Sequence, residues 1–123
     1  MKARIIKIVF TTDNLKTSCE ITFCDPYASN VTLTVTGEAY CRPDDTYDEV
    51  KGQRIAEGRA KEEMFKTLSN SAYNFMLTKV AGVDPVKGVF MLSKDVVSLC
   101  RDIDINNYRA KREEHHLYKL IYE

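Results

Sequence analysis

Val31-Thr32-Leu33-Thr34-Val35-Thr36-Gly37-Glu38-Ala39-Tyr40-Cys41 alternates without a break: Val31, Leu33, Val35, Gly37, Ala39 and Cys41 fall on one side, and Thr32, Thr34, Thr36, Glu38 and Tyr40 on the other. Successive side chains of a strand point to opposite faces, so the pattern is that of an antiparallel strand with one face on a core and one in water. Towards the N-terminus the same period recurs. Cys19, Ile21 and Phe23 alternate with Ser18, Glu20 and Thr22, and Ile6, Ile8 and Phe10 form one face of a first strand. Turn formers separate the three runs at Thr12-Asp13-Asn14 and at Asp25-Pro26-Tyr27-Ala28-Ser29-Asn30. A three-stranded meander is the expected product.

Beyond Cys41 the period changes. Arg42-Pro43-Asp44-Asp45 ends the sheet, and Thr46-Tyr47-Asp48-Glu49 has the Thr-x-x-Glu spacing of a capping box, which satisfies backbone donors at a helix start. At 100° per residue Val50, Ala56, Ala60, Met64, Phe65 and Leu68 form an apolar arc, with Lys51, Arg59, Glu62, Glu63 and Lys66 outside it. This long helix is predicted to end near Ser69-Asn70. Residues 72–83 suit a second helix or a strand equally, because Tyr73, Phe75, Met76, Leu77 and Val80 make too short a run for period to decide. Asp84-Pro85-Val86-Lys87-Gly88 reads as a loop. Ser93 caps a short helix over Asp95–Arg101, and Asp104, Asn106 or Asn107 caps a last helix reaching Ile121. The expected fold is α+β in one domain, residues 1–123: an antiparallel sheet of three or more strands, a long central helix packed on one face, and C-terminal helices.

Composition narrows function mainly by exclusion. The chain has 123 residues, 44% hydrophobic and 29% charged, with 18 basic and 18 acidic side chains and no formal net charge. A neutral protein lacks the broad attraction that nonspecific nucleic-acid or anionic-membrane binders use, so neither partner is expected. The apolar stretch Ile5–Phe10 is short, is broken by Lys7 and lacks a small-residue cleavage site, which points to an intracellular protein and makes the acceptor pattern Asn30-Val31-Thr32 a chance match. Cys19, Cys24, Cys41 and Cys100 contain no Cys-x-x-Cys pair and read as reduced, small apolar residues. The five glycines are too scattered for a phosphate loop or dinucleotide fingerprint. His115 and His116 are adjacent and diverge by about 100° on a helix, which opposes a shared metal. A Cys100 nucleophile with His115 or His116 as base rests on common residue types at arbitrary spacing. Asp44, Asp45, Asp48 and Glu49 are better read as helix N-terminal charge than as acid–base groups. No catalytic set, metal or cofactor is expected.

The last helix carries the most informative pattern. Ala110, Leu117, Leu120 and Ile121 form its apolar side, while Arg109, Arg112, His116 and Lys119 lie within about 80° of one another beside Tyr108. Arginine forks bind phosphate oxygens bidentately and a tyrosine stacks on a base, so this stripe suits a small anionic nucleotide. The bland alternative is a solvated face with Arg109 and Glu113 paired at i,i+4. Arg54 and Lys61 fall inside the apolar arc of the long helix, where they either snorkel or mark a second anion site or a subunit interface.

The segment Val35 to Asp48, with Thr36-Gly37-Glu38-Ala39-Tyr40-Cys41-Arg42-Pro43-Asp44-Asp45-Thr46-Tyr47 inside it, followed by Gly52-Gln53-Arg54-Ile55-Ala56 and Arg59-Ala60, resembles a pattern of small bacteriophage proteins. Mechanically it is a strand-to-helix corner covering about a fifth of the chain. Among such proteins the sequence looks most like the Thoeris anti-defence sponges of the first type. The resemblance implies a non-enzymatic homo-oligomer in the host bacterial cytoplasm that sequesters cyclic ADP-ribose isomers or cyclic oligonucleotides. It further implies ligand arginines near the C-terminus, where Arg109 and Arg112 stand, and upstream aromatic or Asn contacts, for which Asn74, Phe75 and Phe90 are compositional candidates. Two other classes fit the residues. One is an inhibitor that binds a bacterial nuclease or effector directly, for which Tyr108, Tyr118 and Tyr122 supply interface side chains. The other is a double-stranded-RNA-binding-like domain, which the neutral charge opposes.

Overall fold

The computed structural model describes the backbone of residues 2–41, 48–81 and 85–122, and the side chains of residues 2–41, 48–78 and 97–122. Strands β1 (Arg4–Asp13), β2 (Lys16–Asp25) and β3 (Val31–Tyr40) form the antiparallel meander in the order β1-β2-β3. Cys19 stands opposite Phe10 and Gly37, and Ile21 opposite Ile8 and Val35. Opposite residues share a face, so the alternation read from β2 and β3 holds along both strands. In β1 the pairing slips between Ile5 and Lys7. This bulge adds one residue, so the inner row is Ile5, Ile8 and Phe10 rather than Ile6, Ile8 and Phe10.

Short polar side chains make the corners. Asn14 turns β1 into β2 at φ 55°, and Ser29 and Asn30 enter β3 at φ 54° and 58°. Asn and Ser at such positions find local hydrogen bonds that offset the left-handed backbone. Asp25 closes the other corner: its Oδ1 accepts from the Tyr27 amide at 2.9 Å, capping the 3-10 turn Pro26–Ala28.

Helix α1 (Glu49–Ala81) starts behind Asp48, whose Oδ1 accepts from the Lys51 amide at 3.1 Å. Asp48 is therefore the N-cap; Thr46, expected to share a capping box with Glu49, lies outside the described residues, as do Asp44 and Asp45. α1 continues through Ser69-Asn70, where the sequence predicts its end, and makes the undecided residues 72–81 helical. α2 (Pro85–Tyr122) likewise replaces the expected loop at 85–88, the short helix and the separate last helix with one element. The cause is tertiary. The Ser69 hydroxyl donates to Asn107 Oδ1 at 2.8 Å, and Asn106 is buried, so side chains able to cap helix ends instead join two continuous helices. Pro85 fits at the first helical position, where no amide donor is needed.

α1 covers β2 and β3. Ala56 and Ala60 sit directly over Gly37, where a methyl group would run into the Ala56 carbonyl oxygen and the Ala60 amide nitrogen. The core consists of Cys19, Ile21, Phe23, Ala39, Ala56, Ala60, Met64 and Leu68. Val50, expected in the same arc, is 58% exposed because it lies at the helix entrance, ahead of this contact. α2 runs antiparallel along α1: Gly58 meets Leu117, Ser69 meets Asn107, and Met76 meets Cys100. A second cluster of Tyr27, Ala72 and Leu99, with Phe75, Met76 and Ile103, locks the far end. The fold is thus α+β, with a sheet, a central helix and one long C-terminal helix. Among the described residues no helix is long and apolar enough to cross a membrane.

Candidate functional site

The cationic stripe lies on one flank of α2. Buried Asn106, Ala110 and Leu117 face α1, which fixes the helix rotation and leaves Arg109, Arg112 and His116 exposed on the side. The Arg109 guanidinium carbon sits 5.9 Å from the centre of the Phe65 ring on α1. The aromatic face attracts the cation and leaves the guanidinium edge open to water. Ion pairs among the described residues are Lys16–Glu38, Lys61–Glu57 and Lys66–Glu62, so the Arg109–Glu113 pair of the bland alternative does not form. Phe65 is the partner that sequence reasoning missed: it was legible as a core residue, but its contact with Arg109 depends on the antiparallel alignment of two helices.

Other candidate residues are dispersed. Phe75 packs against Tyr27 with ring centroids 6.2 Å apart, inside the second cluster. Asn74 is exposed, and its backbone carbonyl accepts from the Thr78 hydroxyl at 3.0 Å. Both lie near the α2 region of Leu99–Ile103, so within one chain they are more than about 10 Å along the helix axis from Arg112 and His116. Phe90 belongs to α2, with its side chain outside the described residues. Lys61 is half-buried and paired with Glu57 at 3.3 Å, and Arg54 is exposed one and two turns earlier on α1.

Tyr108 is exposed on the outer face of α2, one helical turn from Arg112. There it closes a shallow groove with Val97, Cys100, Arg101, Asp104 and Ile105. All six residues belong to one helix, so among the described residues the groove is a surface strip with no opposing wall. Tyr108, Tyr118 and Tyr122 are 65%, 58% and 70% exposed on this side, the last two with ring centroids 5.1 Å apart.

The remaining polar groups are structural. The Tyr27 hydroxyl donates to Asp102 Oδ2 at 2.7 Å; burial and this bond both push its pKa up. Asp25 is fully buried, and its Oδ2 finds no hydrogen-bond partner among the described residues. Burial raises the Cys19 thiol to about 11, with Glu57 adding to the shift. On the outer sheet face Glu38 accepts from Tyr40 at 2.8 Å and pairs with Lys16 at 3.0 Å, contacts that lower the carboxylate pKa and raise that of Lys16. Cys100 and His115 share the continuous α2, which places them roughly 22 Å apart along its axis and breaks the nucleophile–base pairing within one chain. No group of three or more His, Cys, Asp or Glu side chains converges among the described residues.

Compared with known proteins, the chain matches no family model, no curated protein and no solved structure.

Proposed function

We propose that this protein acts by binding rather than by catalysis, sequestering a small cyclic nucleotide as a phage anti-defence protein in the host bacterial cytoplasm. The reading rests on Arg109, whose guanidinium lies over Phe65 and has no carboxylate partner among the described residues. An arginine already oriented by an aromatic ring binds phosphate with less ordering cost, and Arg112 and His116 on the same flank extend the donor set. A flank that is open in one chain gains enclosure when a second copy supplies the facing wall, so the proposed protein is a homo-oligomer. The likeness of the sequence to the sponge family implies the same ligand class.

The test is thermal unfolding with cyclic ADP-ribose isomers, cyclic di- and trinucleotides, and short duplex RNA. A ligand of the native state present at about 100 times its Kd adds roughly 2.7 kcal/mol, a rise in Tm on the order of 10 °C for a domain of this size. The expected result is such a rise with a cyclic nucleotide that is recovered intact, and its loss in Arg109→Ala and Arg112→Ala proteins that keep their own Tm. Full affinity in both variants removes the stripe from the reading; no shift with any cyclic nucleotide removes the ligand class. The exposed tyrosines of α2 favour a second reading, an inhibitor that docks this face on a bacterial effector. Under that reading Tyr108→Ala and Tyr118→Ala abolish capture of the effector, and nucleotides leave Tm unchanged.

A further inference from the structure

Strand β1 is exposed along all ten of its residues, Arg4–Asp13. Ile5, Ile8, Val9 and Phe10 remain 38–41% exposed although three of them line the same sheet face as the core residues Phe23, Ile21 and Cys19. α1 lies over β2 and β3, so this inner row continues the core surface into solvent. β1 is also a sheet edge, and an edge offers a row of unpaired amide and carbonyl groups to another strand. On the opposite edge the Glu38 carbonyl of β3 is already taken by Arg59, at 2.6 Å. On β1 the devices that discourage edge pairing, Lys7 and the bulge at Ile6, are confined to one half of the strand.

We infer that β1 pairs antiparallel with β1 of a second copy, about a two-fold axis through Val9, to make one six-stranded sheet. This deepens the homo-oligomer part of the proposed function and is independent of its ligand. The faces and charges of the strand select the register. With Val9 opposite Val9 of the other copy, Ile8 meets Phe10 twice on the inner face and Lys7 meets Thr11 twice on the outer face. Beyond the bulged Ile6, the inner residue Ile5 meets Thr12 and the outer residue Arg4 meets Asp13. Nine of the ten positions are paired, only the bulged Ile6 being left out; each inner residue faces an inner one, and both ends of the pair match a guanidinium with a carboxylate. Moving the axis to Ile8 or Phe10 leaves residues overhanging and breaks the Arg4–Asp13 match. Two-fold pairing consumes both β1 edges, so the assembly closes at two chains.

Light scattering of the full chain, without nucleotide, tests the inference. The expected mass is twice 14.1 kDa. Val9→Lys places two ammonium groups together on the axis and is expected to give a folded monomer, while Val97→Lys, at an exposed site on α2, leaves the dimer intact. Arg4→Asp is expected to raise the dimer Kd about tenfold, and adding Asp13→Arg to restore it, since two cross-strand charge pairs change sign and change back. This pair of variants also decides the matter if Val9→Lys does not fold. A wild-type chain at 14.1 kDa, a dimer that survives Val9→Lys, or one lost only in Val97→Lys overturns the inference. The mass is read without ligand and nucleotide binding is read by thermal shift, so each proposal can fail while the other stands.

Discussion

Gly37 sets the distance between sheet and helix. Because a Cβ there would meet the backbone atoms of Ala56 and Ala60, only movement of the whole helix relieves the clash, and Gly37→Ala is expected to cost at least about 1–3 kcal/mol. Gly58 offers a contrast. Its added Cβ would come within 2.8 Å of Leu117 Cδ2, the end of a flexible side chain, while Ala gains about 1 kcal/mol in helix propensity over Gly. Gly58→Ala should therefore leave stability nearly unchanged, and urea midpoints of the two variants test the difference. Cys19 makes a second residue-scale prediction. Its pKa is raised from 9.0 to about 11, so above pH 9 the folded chain keeps a proton that the unfolded chain releases. Stability from this group is undiminished below pH 9 and falls as pH rises towards 11. Maleimide at pH 8 should label exposed Cys100 well before buried Cys19, with mass spectrometry of the labelled peptides as the check.

At the scale of elements, the difference between strands and helices shows what a sequence carries. β2 and β3 were legible because each has one wet and one dry face, so polarity reports face directly. β1 was legible as a strand but not in its inner row, because a bulge leaves no mark among consecutive apolar residues such as Ile5 and Ile6. The helices were legible at their apolar faces and misread at their ends. Ser69, Asn106 and Asn107 look like caps when taken singly; they are interior positions because the two helices answer each other's polar groups. A cap that does operate is Asp48. Asp48→Ala should lower stability by about 1 kcal/mol, with Asp48→Asn retaining most of it; thermal unfolding of the two proteins makes the comparison.

For the whole molecule, the candidate site was only partly legible. Helical spacing placed Arg109, Arg112 and His116 on one flank correctly, since a wheel depends on nothing outside its own helix. It offered no way to find Phe65, more than forty residues earlier, beneath Arg109. Asn74 and Phe75 stand away from the stripe because the alignment of α1 and α2, with Gly58 at Leu117 and Met76 at Cys100, sets which residues lie level. That alignment is a property of the pair of helices and cannot be read from either one.

The order of elements along the chain also has a consequence during synthesis. β1, β2 and β3 precede the helix that covers them, and Cys19, Ile21 and Phe23 reach full burial only under α1. A ribosome adding about 5–20 residues per second needs roughly 2–8 s to advance from the end of β3 to the end of α1. For that interval the nascent meander presents its apolar face to solvent, where a chaperone that binds extended apolar chain has its opportunity to engage.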